Sequence, residues 1–184
     1  MRRHLVVGLL ALLLVAAGAG MAVARSEPRL AAHGPTQVSG TEATAVFRLG
    51  GRTVRQVRYD DRQRLGYTFV LANDGRLPVT VTGLAPLAHK PTLFRYESIA
   101  NRAGEQRFTI PAGERRPVVI TMLMTSCESL SARAGSFARA ANVETSRAGV
   151  LDDVVHVEFP EEVHTGSPRE ASCPRATASS RSPG

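Results

Sequence analysis

Apolar residues recur at every second position through much of the chain, and that period admits strands and little else. Leu65, Tyr67, Phe69 and Leu71 alternate with smaller or more polar residues. Val79 and Val81 alternate with Thr80 and Thr82, and Val155, Val157 and Phe159 do the same near the end. From Pro117 to Thr125, Val118, Ile120, Met122 and Met124 fall on one side, and Val119, Thr121, Leu123 and Thr125 on the other. A strand so apolar on both sides belongs in the middle of a sheet. Ala43, Ala45, Phe47 and Leu49 predict a half-buried strand that Gly50-Gly51 breaks. Weaker strands are expected at 53–59, 93–99 and 106–110, and a short one around Val163. Asn73-Asp74-Gly75 supplies residues that tolerate positive φ, so 65–84 reads as a β-hairpin. Residues 128–142 read as a short helix or an ordered loop, and the 128–147 segment as a contact loop.

One stretch departs from this period. Residues 5–24 carry no charge and follow Arg2, Arg3 and His4. They read either as a secretory signal peptide cleaved after Ala22-Val23-Ala24, or as a membrane-spanning anchor of just sufficient length. Both readings keep the basic start inside and deliver the bulk outside. The protein is therefore expected to be extracytoplasmic, anchored to the cell membrane or secreted. Residues 25–39, with Pro28, Gly34 and Pro35, read as a linker. The body is expected over 40–165. Residues 166–184, rich in Ser, Pro and Arg, are expected to be disordered, because they bury too little apolar area to offset ordering entropy.

Length leaves room for one domain. Aromatic content is 5% and Trp is absent, which predicts an aliphatic core. Net charge is +7, but 37–165 holds sixteen basic and fourteen acidic residues. That balance excludes the concentrated basic face a nucleic-acid binder needs. Lys90 is the one lysine among 23 basic residues, a coding habit of high-GC actinobacteria.

Cys127 and Cys173 are the only cysteines, 46 positions apart. In an exported chain an even count favours a disulfide, which would tie the tail back to the body. In the chain-entropy model such a loop is worth about 4 kcal/mol. Met122 and Met124, with His156, form a weaker alternative, a soft-ligand copper site to which His89 and His164 could add. Core packing explains the methionines more simply. His156 with Glu158, and the pairs Asp60-Asp61, Asp152-Asp153 and Glu161-Glu162, read as solvated surface. No nucleophile elbow, phosphate loop or zinc-protease motif is present, so no catalytic residue is assigned, no cofactor is expected and the chain reads as no enzyme.

Seven or eight short strands with Gly/Pro turns predict an all-β, immunoglobulin-like β-sandwich. The run Gly66-Tyr67-Thr68-Phe69-Val70-Leu71-Ala72-Asn73-Asp74-Gly75, followed by Leu77-Pro78-Val79-Thr80-Val81-Thr82-Gly83-Leu84, resembles a hairpin of small immunoglobulin-like domains in bacterial envelope proteins. Phe108-Thr109-Ile110-Pro111-Ala112-Gly113-Glu114 and Cys173-Pro174 are similar to segments of exported actinobacterial proteins with one such domain. The resemblance implies a non-catalytic envelope module that contacts another envelope protein or a cell-wall polymer. A metal or small-ligand carrier is the alternative, and a hydrolase the next.

Overall fold

The computed structural model describes residues 26–41, 43–59, 62–88, 93–125 and 136–165. The apolar segment 5–24, both cysteines, His89, Asp60-Asp61 and the tail lie outside the described residues. Among the described residues, ten strands form two sheets, giving an all-β sandwich. The strands are β1 (Leu30–Ser39), β2 (Ala43–Leu49), β3 (Arg52–Arg58), β4 (Arg64–Asn73), β5 (Val79–Ala85), β6 (Phe94–Asn101), β7 (Phe108–Ile110), β8 (Arg115–Met124), β9 (Phe137–Arg147) and β10 (Leu151–His164). One sheet has four strands in the order β1-β4-β8-β6, and the other has six in the order β2-β3-β10-β9-β5-β7.

β8 is central, as its two apolar faces require. Val118, Ile120, Met122 and Met124 are fully buried. The core is not purely aliphatic. The few aromatic residues are concentrated in it, with Tyr67 5.6 Å from Phe69 and both rings within 5.5 Å of Phe159. Tyr59 and Phe94 are also buried.

Four expectations about the strands and their connections fail, each for a reason visible in the topology. First, the segment expected as a linker carries β1, which pairs with β4 from Leu30↔Asn73 to Ser39↔Gly66. Pro35 is tolerated because β1 is an edge strand and its register shifts between His33 and Gln37.

Second, 65–84 is not a hairpin. β4 lies in the four-stranded sheet and β5 in the six-stranded one. Neither Asp74 nor Gly75 has the positive φ that a type I′ turn needs. The buried Asn73 instead anchors a crossover. Its side-chain amide donates to the carbonyls of Leu77 (2.8 Å) and Ile110 (3.0 Å), and its Oδ1 accepts from the Gly75 amide at 3.0 Å. One side chain thus ties the β4–β5 crossover to the neighbouring β7–β8 crossover. Asn73→Ala should cost about 2–3 kcal/mol, since it leaves buried carbonyls without donors. Urea denaturation would check this.

Third, the expected helix or loop over 128–142 gives way to β9 from Phe137 onward. β9 is an interior strand, paired with β10 on one side and β5 on the other. The short strand expected around Val163 is the continuation of β10 beyond a register shift between Glu158 and Val163.

Fourth, β2 is not half-buried. Four strands cannot cover six, and β2 lies outermost in the larger sheet. Val46, Phe47 and Leu49 are 52%, 41% and 67% exposed.

Candidate functional site

The exposed apolar edge and the cleft beside it form the most distinctive surface among the described residues. β2 and β3 make a true two-residue hairpin, in register from Leu49↔Arg52 back to Ala43↔Arg58. Its turn is Gly50-Gly51, with φ of 55° and 82°. Positive φ at both positions is the type I′ requirement, which glycine meets without strain.

The hairpin joins the rest of its sheet through a short contact. β3 pairs in parallel with β10 over three positions, Val54–Gln56 against Glu162–His164. Side chains reinforce this seam. Arg55 Nε donates to Glu161 Oε1 at 2.6 Å, and Arg55 Nη2 donates to Thr36 Oγ1 on β1 at 3.2 Å. The Glu161 side chain is buried, at 4% exposure, and that of Arg55 is largely enclosed, at 14%. This pair links β3, β10 and the edge of the opposite sheet. Glu162, the next residue, takes Arg52 at 3.0 Å and Arg139 at 3.3 Å near the surface. The Glu161-Glu162 pair, expected to be solvated, is therefore the clasp of the hairpin. The adjacent acids read from sequence as surface have found arginines that lie far from them in the chain.

The register shift in β10 shapes the cleft. Glu158 pairs with Ala140 and Val163 with Ala138, so four residues of β10 oppose Arg139 alone. The wide bulge disrupts the ladder. Tyr96, from the opposite sheet, donates its hydroxyl to the Ala140 carbonyl at 2.7 Å. The resulting open cleft has a volume of about 760 Å³, and Tyr96, Phe137, Arg139, Phe159 and Glu162 are among its walls. A second groove of about 560 Å³ runs from Phe47 and Leu49 to Phe137 and His164. Phe137 stacks on His164 with centroids 4.6 Å apart, and the Arg139 guanidinium lies 5.0 Å from the Phe137 centroid. The expected contact loop over 128–147 contributes Phe137 and Arg139 here, but from a strand.

Burial pushes the Tyr67 hydroxyl pKa well above its usual value, and the Glu161 charge adds to this against a smaller opposing effect of Arg55. Burial alone raises that of Tyr96. Both phenols therefore stay neutral in the fold, as groups enclosed in an apolar cluster must.

The copper alternative is not assembled. Met122 and Met124 are fully buried in the core face of β8. His156 lies on the exposed side of β10, with Nδ1 2.9 Å from Asn142 Oδ1. Glu158 is exposed as well, in keeping with a solvated strand face. Among the described residues, no group of three or more His, Cys, Asp or Glu side chains is placed to hold a metal. Asp153 is engaged structurally, accepting two hydrogen bonds from the buried Arg147 at 2.7 and 3.0 Å.

No family model and no curated protein matches the chain. Among solved structures, the chain is similar to the cupredoxin domain of amoB from Nitrosocaldus yellowstonii. Identity is 16%, the alignment covers 61% of this chain and 65% of that one, and the TM-score is 0.27. At that score the likeness carries no information on ligands.

Proposed function

We propose that this protein is a non-catalytic, extracytoplasmic module of the cell envelope that docks a protein or a cell-wall polymer through the β2–β3 hairpin. The supporting observation is the pair Phe47 and Leu49, exposed on one face of an edge strand beside the Arg52–Glu162–Arg139 cluster, with Val46 exposed on the other face of the same strand. Apolar side chains gathered at a sheet edge and rimmed by charge are the usual makings of an interaction surface. Residues 5–24 hold the body at the membrane, or release it after cleavage behind Ala24.

A photo-crosslinking residue in place of Phe47 tests this in the native envelope. Adducts are expected there, and none from a crosslinker in place of Thr109, which is exposed on β7. An adduct-free Phe47 variant would remove the proposal.

The covalent part of the proposal is a Cys127–Cys173 disulfide. Cys127 follows β8, and Cys173 follows Thr165, whose amide and hydroxyl both bond the Ser136 carbonyl that precedes β9. Intact mass of the exported chain after alkylation without reduction should show no added alkyl groups. Two added groups would refute the bridge.

A further inference from the structure

We infer that the partner of the β2 edge is a second copy of this chain, paired antiparallel strand to strand about Val46. The inference rests on the docking role proposed above and names its occupant.

An exposed strand edge is a template for another strand, and natural sheets blunt it with proline, bulges, inward or dense charge, or brevity. Among the described residues, three of the four sheet edges carry such devices. β1 has Pro35 and a register shift. β6 has a register shift between Tyr96 and Ser98 beside Arg95 and Glu97. β7 is three residues long. β2 has none of them. It is seven residues long, pairs with β3 without a break, contains no proline and bears one charge, Arg48.

The turn decides which residues face outward. A two-residue type I′ loop is closed by a hydrogen-bonded pair, so Leu49 and Arg52 exchange bonds. Hydrogen-bonded and non-bonded pairs then alternate along the ladder. Leu49, Phe47, Ala45 and Ala43 therefore spend their backbone groups on β3. Thr44, Val46 and Arg48 present theirs to the free edge.

Three outward positions spaced by two can meet their own copies about a two-fold axis. Centring the axis on Val46 is the register that engages all three: Val46 faces Val46 of the other copy, and Thr44 faces Arg48 on each side. Each pair exchanges two backbone hydrogen bonds. This register also keeps the two Arg48 side chains apart, since each lies across from threonine. Centring on Arg48 would place like charges directly opposite, which is destabilising. On the other face Phe47 comes opposite Ala45, a large side chain over a small one. The product is a closed, isologous dimer in which the two six-stranded sheets become continuous.

Sedimentation equilibrium of the full-length chain in mild detergent provides the test. A species of twice the chain mass is expected. Val46→Pro removes only an outward N–H, because the N–H of Val46 makes no bond to β3, so this variant should keep its urea midpoint and sediment as a monomer. Val46→Cys should form a self-linked dimer on mild oxidation, since the roughly 5.5 Å Cα spacing of a hydrogen-bonded pair suits a disulfide. A wild-type monomer at the highest soluble concentration, or a dimer that survives Val46→Pro, overturns the inference. If the wild-type chain is monomeric while Phe47 crosslinks to a different molecule, self-pairing falls and the docking role stands. If Phe47 crosslinks to nothing, both fall.

Discussion

Replacing Glu161 with alanine should cost the fold about 3–5 kcal/mol, the usual effect of leaving one member of a buried ion pair alone. The Arg55 guanidinium would keep only Thr36 as a named partner, in a place where its side chain is 14% exposed. Desolvation is what makes the loss large: a charge held away from water is stable only while its counter-charge and hydrogen bonds remain. Removing both charges should be far milder. The double variant Arg55→Met with Glu161→Leu is expected to lie within about 1 kcal/mol of wild type, because apolar side chains of similar size avoid the desolvation cost altogether. Urea or thermal unfolding of the two singles and the double forms a cycle that measures the coupling. A single variant as stable as wild type would show that the pair does not hold the seam. In contrast, Glu162→Ala breaks contacts with exposed arginines and should cost less than about 1 kcal/mol.

Alkaline conditions should unfold the protein with a slope set by Tyr67 and Tyr96. Both phenols have pKa values raised above 10.0 by burial, with the Glu161 charge contributing at Tyr67. In the unfolded chain they ionise near the ordinary tyrosine value of about 10. Above that pH the unfolded state binds fewer protons than the folded one, so stability falls as pH rises. Below it, both states are protonated and the stability these groups confer is fully present. Each tyrosine removes about 1.4 kcal/mol per pH unit above the unfolded value until its folded value is reached. Two together would exhaust a typical domain stability within a few pH units. Urea midpoints measured on either side of pH 10 read this slope directly. It should flatten in the Tyr67→Phe, Tyr96→Phe double variant. An equal slope in that variant would assign alkaline unfolding to other groups.

The all-β class and the inward faces of β4, β5, β8 and most of β10 were legible, because alternation over Leu65, Tyr67, Phe69 and Leu71 or Val118, Ile120, Met122 and Met124 is a local signal. Which sheet a strand joins is not local. Asn73-Asp74-Gly75 has the composition of a hairpin turn, and only Ile110, 37 positions away, makes it a crossover. Gly50-Gly51 reads as a break in a strand, and becomes a hairpin turn because β3 has β10 to lie against. The exposure of the β2 edge is illegible for a related reason. Phe47 and Leu49 alternate as a buried face should, but the register Phe47↔Val54↔Glu162 puts them on the side of the sheet turned away from the core; Val46, on the core side with Arg55, is exposed because β2 lies outermost. Glu161 was read as solvated from its neighbour Glu162, and its partner Arg55 is 106 positions earlier. The methionines lie in the core, as their place beside Val118 and Ile120 predicts.

The place of β10 in the six-stranded sheet has a temporal consequence. β3 reaches the strands beyond it only through residues 162–164, almost the last of the described body. Two of the six strands stay cut off from their sheet until residues 162–164 have been made and placed. Loop-closure entropy must be met across more than a hundred positions before that seam gains anything, so it should be the slow step of refolding. A body of this design stays unfinished cloth until late, and the stitch that closes it is sewn near the end.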